Sequence, residues 1–450
     1  MKKVHIIGIA GKATAGIAKL FIDLEWEVTG SDQNVYPPMS TYLDEIRVAY
    51  QTPYSAKNIP GDVDLVVVGG NALNVGVANP EVEQAKELGL PIKNYPEVLQ
   101  EFLIKENSIV VAGNYGKGTI TGAIVKALTD LGENPSYMVG GRLVDYEDNL
   151  HNTEGAWSVV EGDEYPVPSI AVGQPQSKIF FYKPKYLILT SAEWDHFDQF
   201  PSEQIYIDNF VALVKSVPAD GLIVANHDGE HVDEIIKHAT CKVVTYSLVN
   251  PHADFVGVHI NLNPMIVGRF NLANLVAAYA LLTTIGFDSP KLLESLNTYR
   301  GLQQRMMVVH EDEQTVLVRD YAHSPIKAKA AISGVKETWP NHNVIAILDI
   351  FASSLKNKAV LAKLTGALDG ADLVLIPRVT LSANKDRASL VTGKEIMEMI
   401  KTTQPNVEYI PDADELVAKA VQLATPRVIL MMSSGGLEDI ETKISEAVKN

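Results

Sequence analysis

One stretch limits the possible folds of this chain more than any other: Ile109-Val-Val-Ala-Gly-Asn-Tyr-Gly-Lys-Gly-Thr-Ile-Thr121. The apolar run Ile109–Ala112 reads as a buried parallel strand. Gly113 and Gly116 follow as a loop that can approach an anion closely, then Lys117, and Thr119–Thr129 reads as a helix. Strand, glycine loop, lysine and helix make the layout of a phosphate cradle. Backbone N–H groups at the helix start point at the anion, and the helix dipole adds to the attraction. The regular phosphate loop is G-x-x-x-x-G-K-[ST]. Here the glycines are closer together, and Gly118 stands where a magnesium-binding hydroxyl is usual. By itself the stretch is equally compatible with a tight strand-to-helix turn bearing a surface lysine.

A buried parallel strand needs others beside it, and the chain supplies them. Val4–Gly8 is a strand running into the glycines Gly8, Gly11 and Gly16, and a helix follows to about Leu24. A second strand, from Glu27, ends at Ser31-Asp32. This is a βαβ unit with glycines at its first turn and an acidic residue about twenty positions on, although the spacing is not G-x-G-x-x-G. A nicotinamide oxidoreductase would account for this first segment and leave the rest of the chain unexplained. Leu65–Val68 leads to Gly69-Gly-Asn71, and a helix near Glu81–Leu88 and a strand at Pro91–Lys93 complete a small α/β domain. Its end falls at the polar Glu106-Asn-Ser108.

Further buried strands end in polar residues. Trp157–Val160 runs into Glu161-Gly-Asp-Glu164, and Tyr186–Thr190 into Glu193-Trp-Asp-His196-Phe-Asp198. Carboxylates at the carboxyl ends of parallel strands lie where α/β folds hold ligands and metals. The plainer alternative for each is a solvated acidic turn. Gly221–Asn226 repeats the pattern, and Gly268-Arg-Phe-Asn271-Leu-Ala-Asn274 leads a helix ending near Gly286. The asparagines either cap that helix or read a base edge. Beyond Tyr299-Arg-Gly301, strands are expected at Val316–Asp320, Asn343–Asp349, Ala371–Ile376 and Arg427–Met432, with helices near Lys358–Leu368 and Asp414–Leu423. The alternation predicts parallel sheets with helices on both faces.

Composition sets the outer limits. The chain has 450 residues, long enough for two or three domains. No apolar run of about 18 residues exists, which argues against a transmembrane helix. The start, Met-Lys-Lys-Val-His-Ile-Ile-Gly8, reads as a strand and not as a signal peptide. Cys241 is the only cysteine, so no intrachain disulfide can form, and a cytoplasmic location is expected. A net charge of −17 disfavours nucleic acid as a partner.

Taken in order, these features resemble the Mur ligase family of ATP-dependent amide-forming enzymes of peptidoglycan metabolism. The series runs from the glycine-rich βαβ through the lysine-bearing loop, Glu-Gly-Asp-Glu164 and Trp-Asp-His196-Phe-Asp to Arg-Phe-Asn271 and Asp320-Tyr-Ala-His323-Ser-Pro. Several stretches look like the branch that ligates a tripeptide, L-Ala-γ-D-Glu-meso-diaminopimelate. They include Val28–Ser40, Gly70-Asn-Ala72 with Asn79-Pro80, Lys183–Thr190, Phe351–Leu355 and Met432–Gly436. Members that add L-alanine to UDP-N-acetylmuramate are the next most similar.

The resemblance implies an α/β fold of three domains: a Rossmann-like UDP-binding domain over 1–106, a central P-loop-type ATPase domain with a parallel sheet over 107–298, and a C-terminal Rossmann-like domain over 299–450. It implies ATP and Mg2+ as cofactors, UDP-N-acetylmuramate and an amino acid or tripeptide as partners, and a monomer or homodimer with neither nucleic acid nor membrane. Under it, Gly113, Asn114, Gly116, Lys117, Gly118 and Thr119 hold the nucleotide phosphates. Asn271 contacts adenine, and Arg305 and Asp320 line the ATP cleft. Glu161, His196 and Thr119 serve the metal. Gly8, Gly11, Ser31, Asp32 and Asn71 receive the UDP-sugar, and Lys117, His196 and His323 belong to the catalytic centre.

The chain departs from the family pattern mainly in the opening stretch. Gly-Thr-His-Gly-Lys-Thr-Thr is usual, and here the run is Gly113-Asn-Tyr-Gly-Lys-Gly-Thr119. Ala15 replaces a glycine found in some members, and the position of the carbamylated lysine of many members falls near Val211, with Lys215 the nearest lysine. A protein of the family that binds its ligands without turnover is the alternative these departures favour.

Overall fold

The computed structural model describes residues 1–450 apart from 37–38, 74–77, 168–175, 195–198, 263–265, 323, 351–363, 380–390, 434, 436 and 450. The chain forms two compact units, Met1–Asn263 with Ala273–Tyr299, and Pro264–Leu272 with Arg300–Asn450. Among the described residues no helix is long and apolar enough to cross a membrane.

Among the described residues the first unit contains a five-stranded sheet, an eight-stranded sheet and a two-stranded antiparallel pair. In the first, β1 (Lys3–Ile7), α1 (Lys12–Asp23), β2 (Glu27–Ser31), β3 (Ala49–Gln51), β4 (Leu65–Val68), α2 (Pro80–Glu87), β5 (Ile92–Asn94) and α3 (Tyr95–Phe102) follow one another. The strand order is β3-β2-β1-β4-β5, parallel throughout. The chain order reverses between β1 and β4, so the glycine turn after β1 opens at the switch point where α/β sheets bind ligands.

The second sheet is built on β6 (Asn107–Ala112), which feeds α4 (Lys117–Asp130). It continues with β7 (Ser136–Met138), β8 (Leu150–His151), β9 (Trp157–Gly162), β10 (Tyr186–Leu189), α5 (Glu203–Ser216), β11 (Leu222–Asn226), β12 (Lys242–Ser247) and β13 (Phe255–Val256). The order is β13-β12-β11-β10-β6-β9-β7-β8. Ile109–Ala112 are fully buried, as a strand covered on both faces must be. The chain leaves β6 in one direction for β7 and returns to its other side for β10. A second switch point therefore lies at the carboxyl end of β6, between Gly162 and Leu189.

In the second unit, β14 (Met307–Glu311), β15 (Thr315–Asp320), α6 (Pro325–Thr338), β16 (Asn343–Leu348), β17 (Leu373–Ile376), β18 (Val407–Tyr409) and β19 (Arg427–Met432) form a sheet of order β14-β15-β19-β16-β17-β18. The expected helix near Lys358–Leu368 falls mostly outside the described residues.

The sheets are not wholly parallel, which corrects the expectation from alternation. The β7–β8 and β14–β15 pairs are antiparallel. For β14–β15 the reason is the connection. Asp312 accepts hydrogen bonds from the backbone N–H of Gln314 and Thr315, at 2.8 and 2.7 Å, and closes a turn far too short for a parallel crossover.

Candidate active site

Two glycines shape the loop after β6. Gly113 has φ +117° and Gly116, the N-cap of α4, has φ +73°. A Cβ at Gly113 would fall 2.3 Å from Thr190 Oγ1, and one at Gly116 would fall 2.1 Å from Asn274 Oδ1. Backbone conformation and close approach both require glycine there. The loop delivers Lys117 to the first position of α4, where amides of the first turn lack intrahelical acceptors.

Lys117 folds back over the loop. Its Nζ donates to Gly113 O at 2.6 Å and to Glu164 Oε2 at 3.0 Å. Burial opposes its charge, but Glu164 first, then Asp163 and Glu161, hold the ammonium above its ordinary pKa. It is therefore a fixed cation at neutral pH. Asn114 Nδ2 donates to Glu193 O at 2.7 Å and to the Tyr206 hydroxyl at 2.9 Å, and the Tyr115 hydroxyl donates to the Glu193 carboxylate. Two of the residues that differ from the family pattern thus tie the loop to the segment after β10.

The three acidic side chains at the end of β9 have different partners. Glu161 accepts from Gly140 N at 2.6 Å, and Asp163 pairs with Lys178 at 2.6 Å and accepts from Tyr165 N at 3.0 Å. Glu164 is buried and meets Lys117 and Tyr206. Gly118 and Thr119 are buried in the first turn of α4. Lys215 is exposed on α5. His196 lies outside the described residues.

At the first switch point the amides of the glycine turn are already used. Gly8 N and Ile9 N donate to Ser31 O at 2.8 and 3.0 Å, Ala10 N donates to Asp32 Oδ2 at 3.0 Å, and Gly11 N donates to Gly8 O at 3.2 Å. Gly8 (φ +81°) and Gly11 therefore shape the turn, and the first turn of α1 keeps amide donors that can face an anion. Asp32 also accepts from Tyr54 OH at 3.3 Å. The Ser31 side chain, read as a substrate contact, is engaged within the protein. It is fully buried, and its hydroxyl donates to Glu81.

Glu81 is itself fully buried and also accepts from Ser55 N and Asn58 Nδ2, at 2.9 and 2.7 Å, with His5 beside it at 3.6 Å. Burial alone would push its carboxyl up. The donors, His5 first, outweigh burial and hold it below the ordinary value. Its stabilising contribution is present above the ordinary carboxyl range and is lost as pH falls through the lowered value. Asn71 sits in the short turn Gly70–Ala72 after β4.

In the second unit Asp320 ends β15 and accepts from Met306 N at 2.9 Å and Ala322 N at 2.8 Å. Burial raises its pKa against the pull of these donors and of Arg305. The Arg305 guanidinium stacks 5.2 Å above the Tyr321 ring. Asn271, expected to meet adenine from the central segment, belongs with the second unit. It is 5% exposed, and its amide donates to Val267 O at 2.7 Å, closing a local turn. His323 lies outside the described residues.

Glu164, Glu193 and Tyr206 are the side chains the sequence reading left without a role. Glu164 was visible as the end of an acidic motif. Tyr206 lies 92 positions from Asn114, inside a helix pattern that carries no signal of its contact.

Three family models match the chain in succession: the Mur ligase family catalytic domain over 3–106, the Mur ligase middle domain over 111–282, and the Mur ligase glutamate ligase domain over 304–435. A UDP-N-acetylmuramate–L-alanine ligase of Desulfitobacterium hafniense strain Y51 is 25% identical over 96% of this chain and 97% of its own. The UDP-N-acetylmuramate–L-alanyl-γ-D-glutamyl-meso-2,6-diaminoheptandioate ligase of Escherichia coli K12 is 27% identical over 99% and 98%. The crystal structure of a UDP-N-acetylmuramate-alanine ligase from Thermotoga maritima shares the fold, with TM-score 0.76 at 22% identity over 100% of this chain and 99% of that one.

Proposed function

The chain belongs to the Mur ligase family, and from that premise we propose that it is an ATP-dependent ligase that joins the carboxylate of UDP-N-acetylmuramate to an amine through an acyl phosphate. The observation that carries this reading is Lys117, a largely enclosed cation at the start of α4 above a two-glycine loop at a switch point. In the first step a carboxylate oxygen attacks the γ-phosphorus of ATP and ADP leaves. In the second the amine attacks the acyl carbon, and phosphate departs with loss of a proton. The chain's task is to position the reactants and neutralise moving charge. Lys117 and the first-turn amides of α4 bind the β- and γ-phosphates. Gly113 and Gly116 let the backbone come close to them.

A carboxylate at a strand end suits a hard divalent cation. Glu161 supplies a half-buried carboxylate at the end of β9, beside β6 in the sheet, and Mg2+ takes one or two such ligands along with phosphate oxygens and waters. Glu161 and His196 would hold it, with Thr119 the hydroxyl nearest in sequence to the missing one at Gly118. Magnesium so bound would neutralise phosphate charge.

The amine is the tripeptide L-Ala-γ-D-Glu-meso-diaminopimelate, supported by the stretches from Val28 to Gly436 that resemble that branch and by the likeness to the Escherichia coli enzyme. L-Alanine is the second reading, favoured by the names of the Desulfitobacterium and Chlorobium relatives. The test is incubation with ATP, Mg2+ and UDP-N-acetylmuramate, offering each amine separately and weighing the products. The tripeptide adduct is expected. An L-alanine adduct alone selects the second reading. No product with either amine rejects the ligase reading in favour of binding without turnover.

A further inference from the structure

Glu81 stands in the first turn of α2, in the run Asn79-Pro80-Glu81, and the reaction described above gives it no part. Asn79 caps the helix by accepting from Glu81 N at 2.9 Å, and donates to Ala72 O at 3.2 Å in the turn after β4. The carboxylate delivered in this way is fully buried, which is costly unless donors meet it. Those donors come from separate parts of the chain. Ser31 donates from the end of β2. Ser55 N and Asn58 Nδ2 donate from the segment between β3 and β4, at 2.9 and 2.7 Å. The Asn58 amide also donates to Pro53 O at 3.0 Å. Both chain neighbours of Tyr54 are therefore fastened to Glu81, Ser55 directly and Pro53 through Asn58.

From this fastened segment Tyr54 reaches the first switch point. Its hydroxyl donates to Asp32 Oδ1 at 3.3 Å, and a Cβ at Gly8 would lie 3.6 Å from its oxygen. Asp32 Oδ2 accepts from Ala10 N at 3.0 Å. A continuous series of contacts thus runs from the buried carboxylate, through Tyr54 and Asp32, to the glycine turn that feeds α1. The first-turn amides of α1 can face the diphosphate of a nucleotide sugar, so a shift in the turn is a shift in those donors.

We infer that Glu81 is a positioning residue for the nucleotide sugar: it fixes the segment Pro53–Asn58 so that Tyr54 holds Asp32, and with it the glycine turn, in place. This rests on the reading of the chain as a UDP-N-acetylmuramate ligase that takes the nucleotide end of that substrate at the first switch point. Glu81 acts through Tyr54 and Asn58 and touches neither ligand nor reacting atom. A role in stability alone would not single out one ligand.

Calorimetry on the full chain, with UDP-N-acetylmuramate and separately with β,γ-imido-ATP and Mg2+, tests this without requiring turnover. Tyr54→Phe should weaken UDP-N-acetylmuramate binding about fivefold, the scale of one net hydrogen bond, and Asn58→Ala at least as much. The double variant should bind within about twofold of Asn58→Ala, because both changes cut the same series. Affinity for imido-ATP should stay within about twofold of wild type in all three, since that site is independent. Glu81→Gln keeps a carbonyl oxygen for Ser55 N and Asn58 and should retain most of the affinity, whereas Glu81→Met, of similar volume without an acceptor, should behave as Asn58→Ala does. If Glu81→Met does not fold, the Tyr54 and Asn58 variants decide. Unchanged UDP-N-acetylmuramate affinity in either Tyr54→Phe or Asn58→Ala, or parallel losses for both ligands, would overturn the inference. Asp32→Ala separates the two levels of the argument. A loss there with none in the Tyr54 and Asn58 variants overturns the positioning role alone. A wild-type chain that binds no UDP-N-acetylmuramate, or an Asp32→Ala variant that binds it as wild type does, overturns the reading of the switch point and the inference with it.

Discussion

Lys117→Ala lowers ATP-dependent phosphate release, in the presence of UDP-N-acetylmuramate and amine, by about a thousandfold, the upper range for removing one donor aimed at transition-state charge. The lysine is held at the first position of α4 by two short contacts, to Gly113 O and Glu164, and stays cationic because the acidic residues around it outweigh its burial. Alanine removes the one side-chain cation of the loop where charge moves from the γ-phosphate. It also takes away the cation paired with the buried Glu164 carboxylate. The lysine is partly open to solvent, so the stability loss is set at about 2 kcal/mol, below the range for fully buried pairs. The two effects separate in Lys117→Ala/Glu164→Gln, which should regain most of the thermal stability and none of the turnover. Unchanged phosphate release in Lys117→Ala would remove the cradle from the mechanism.

Gly116→Ala should be nearly as severe for a different reason. Its backbone is left-handed, which for a residue with a Cβ costs about 1–2 kcal/mol. The added carbon would also lie 2.1 Å from Asn274 Oδ1, so either the loop or the segment that carries Asn274 must move. A shift of about 1 Å at the loop displaces the phosphate contacts and is expected to reduce turnover about a hundredfold. Gly132 is the control, because it has φ +87° but a Cβ there meets nothing within 4 Å. Gly132→Ala should lose a comparable backbone term in chemical denaturation while turnover stays near wild type. Equal turnover in the two variants would show that the loop tolerates displacement.

Much of this arrangement is legible from local pattern. Strands buried on both faces, such as Ile109–Ala112 and Val428–Met432, are continuous apolar runs, and the glycines, acids and serines after them mark the carboxyl edge of each sheet. The half-exposed β14 gives no such run, and its hairpin follows from the Asp312 turn, so alternation alone overstates how parallel the sheet is. Ser31 stands at the carboxyl end of β2, where a ligand contact is expected from position alone. Strand pleating sends its hydroxyl to Glu81, a partner 50 positions away that sequence pattern does not reveal. Asn271 occupies a motif position, yet its amide is used within its own turn. The Asn114–Tyr206–Glu164 chain joins three separate elements and could be found only once they were packed together.

The most direct test of the acyl-phosphate ligase uses UDP-N-acetylmuramate labelled with oxygen-18 in its carboxylate. If the carboxylate attacks the γ-phosphorus and the amine then attacks the acyl carbon, one labelled oxygen leaves with the phosphate and the other remains in the amide. The expected result is released phosphate carrying a single oxygen-18, formed in step with the amide product. Unlabelled phosphate, or phosphate released without amide, would contradict it.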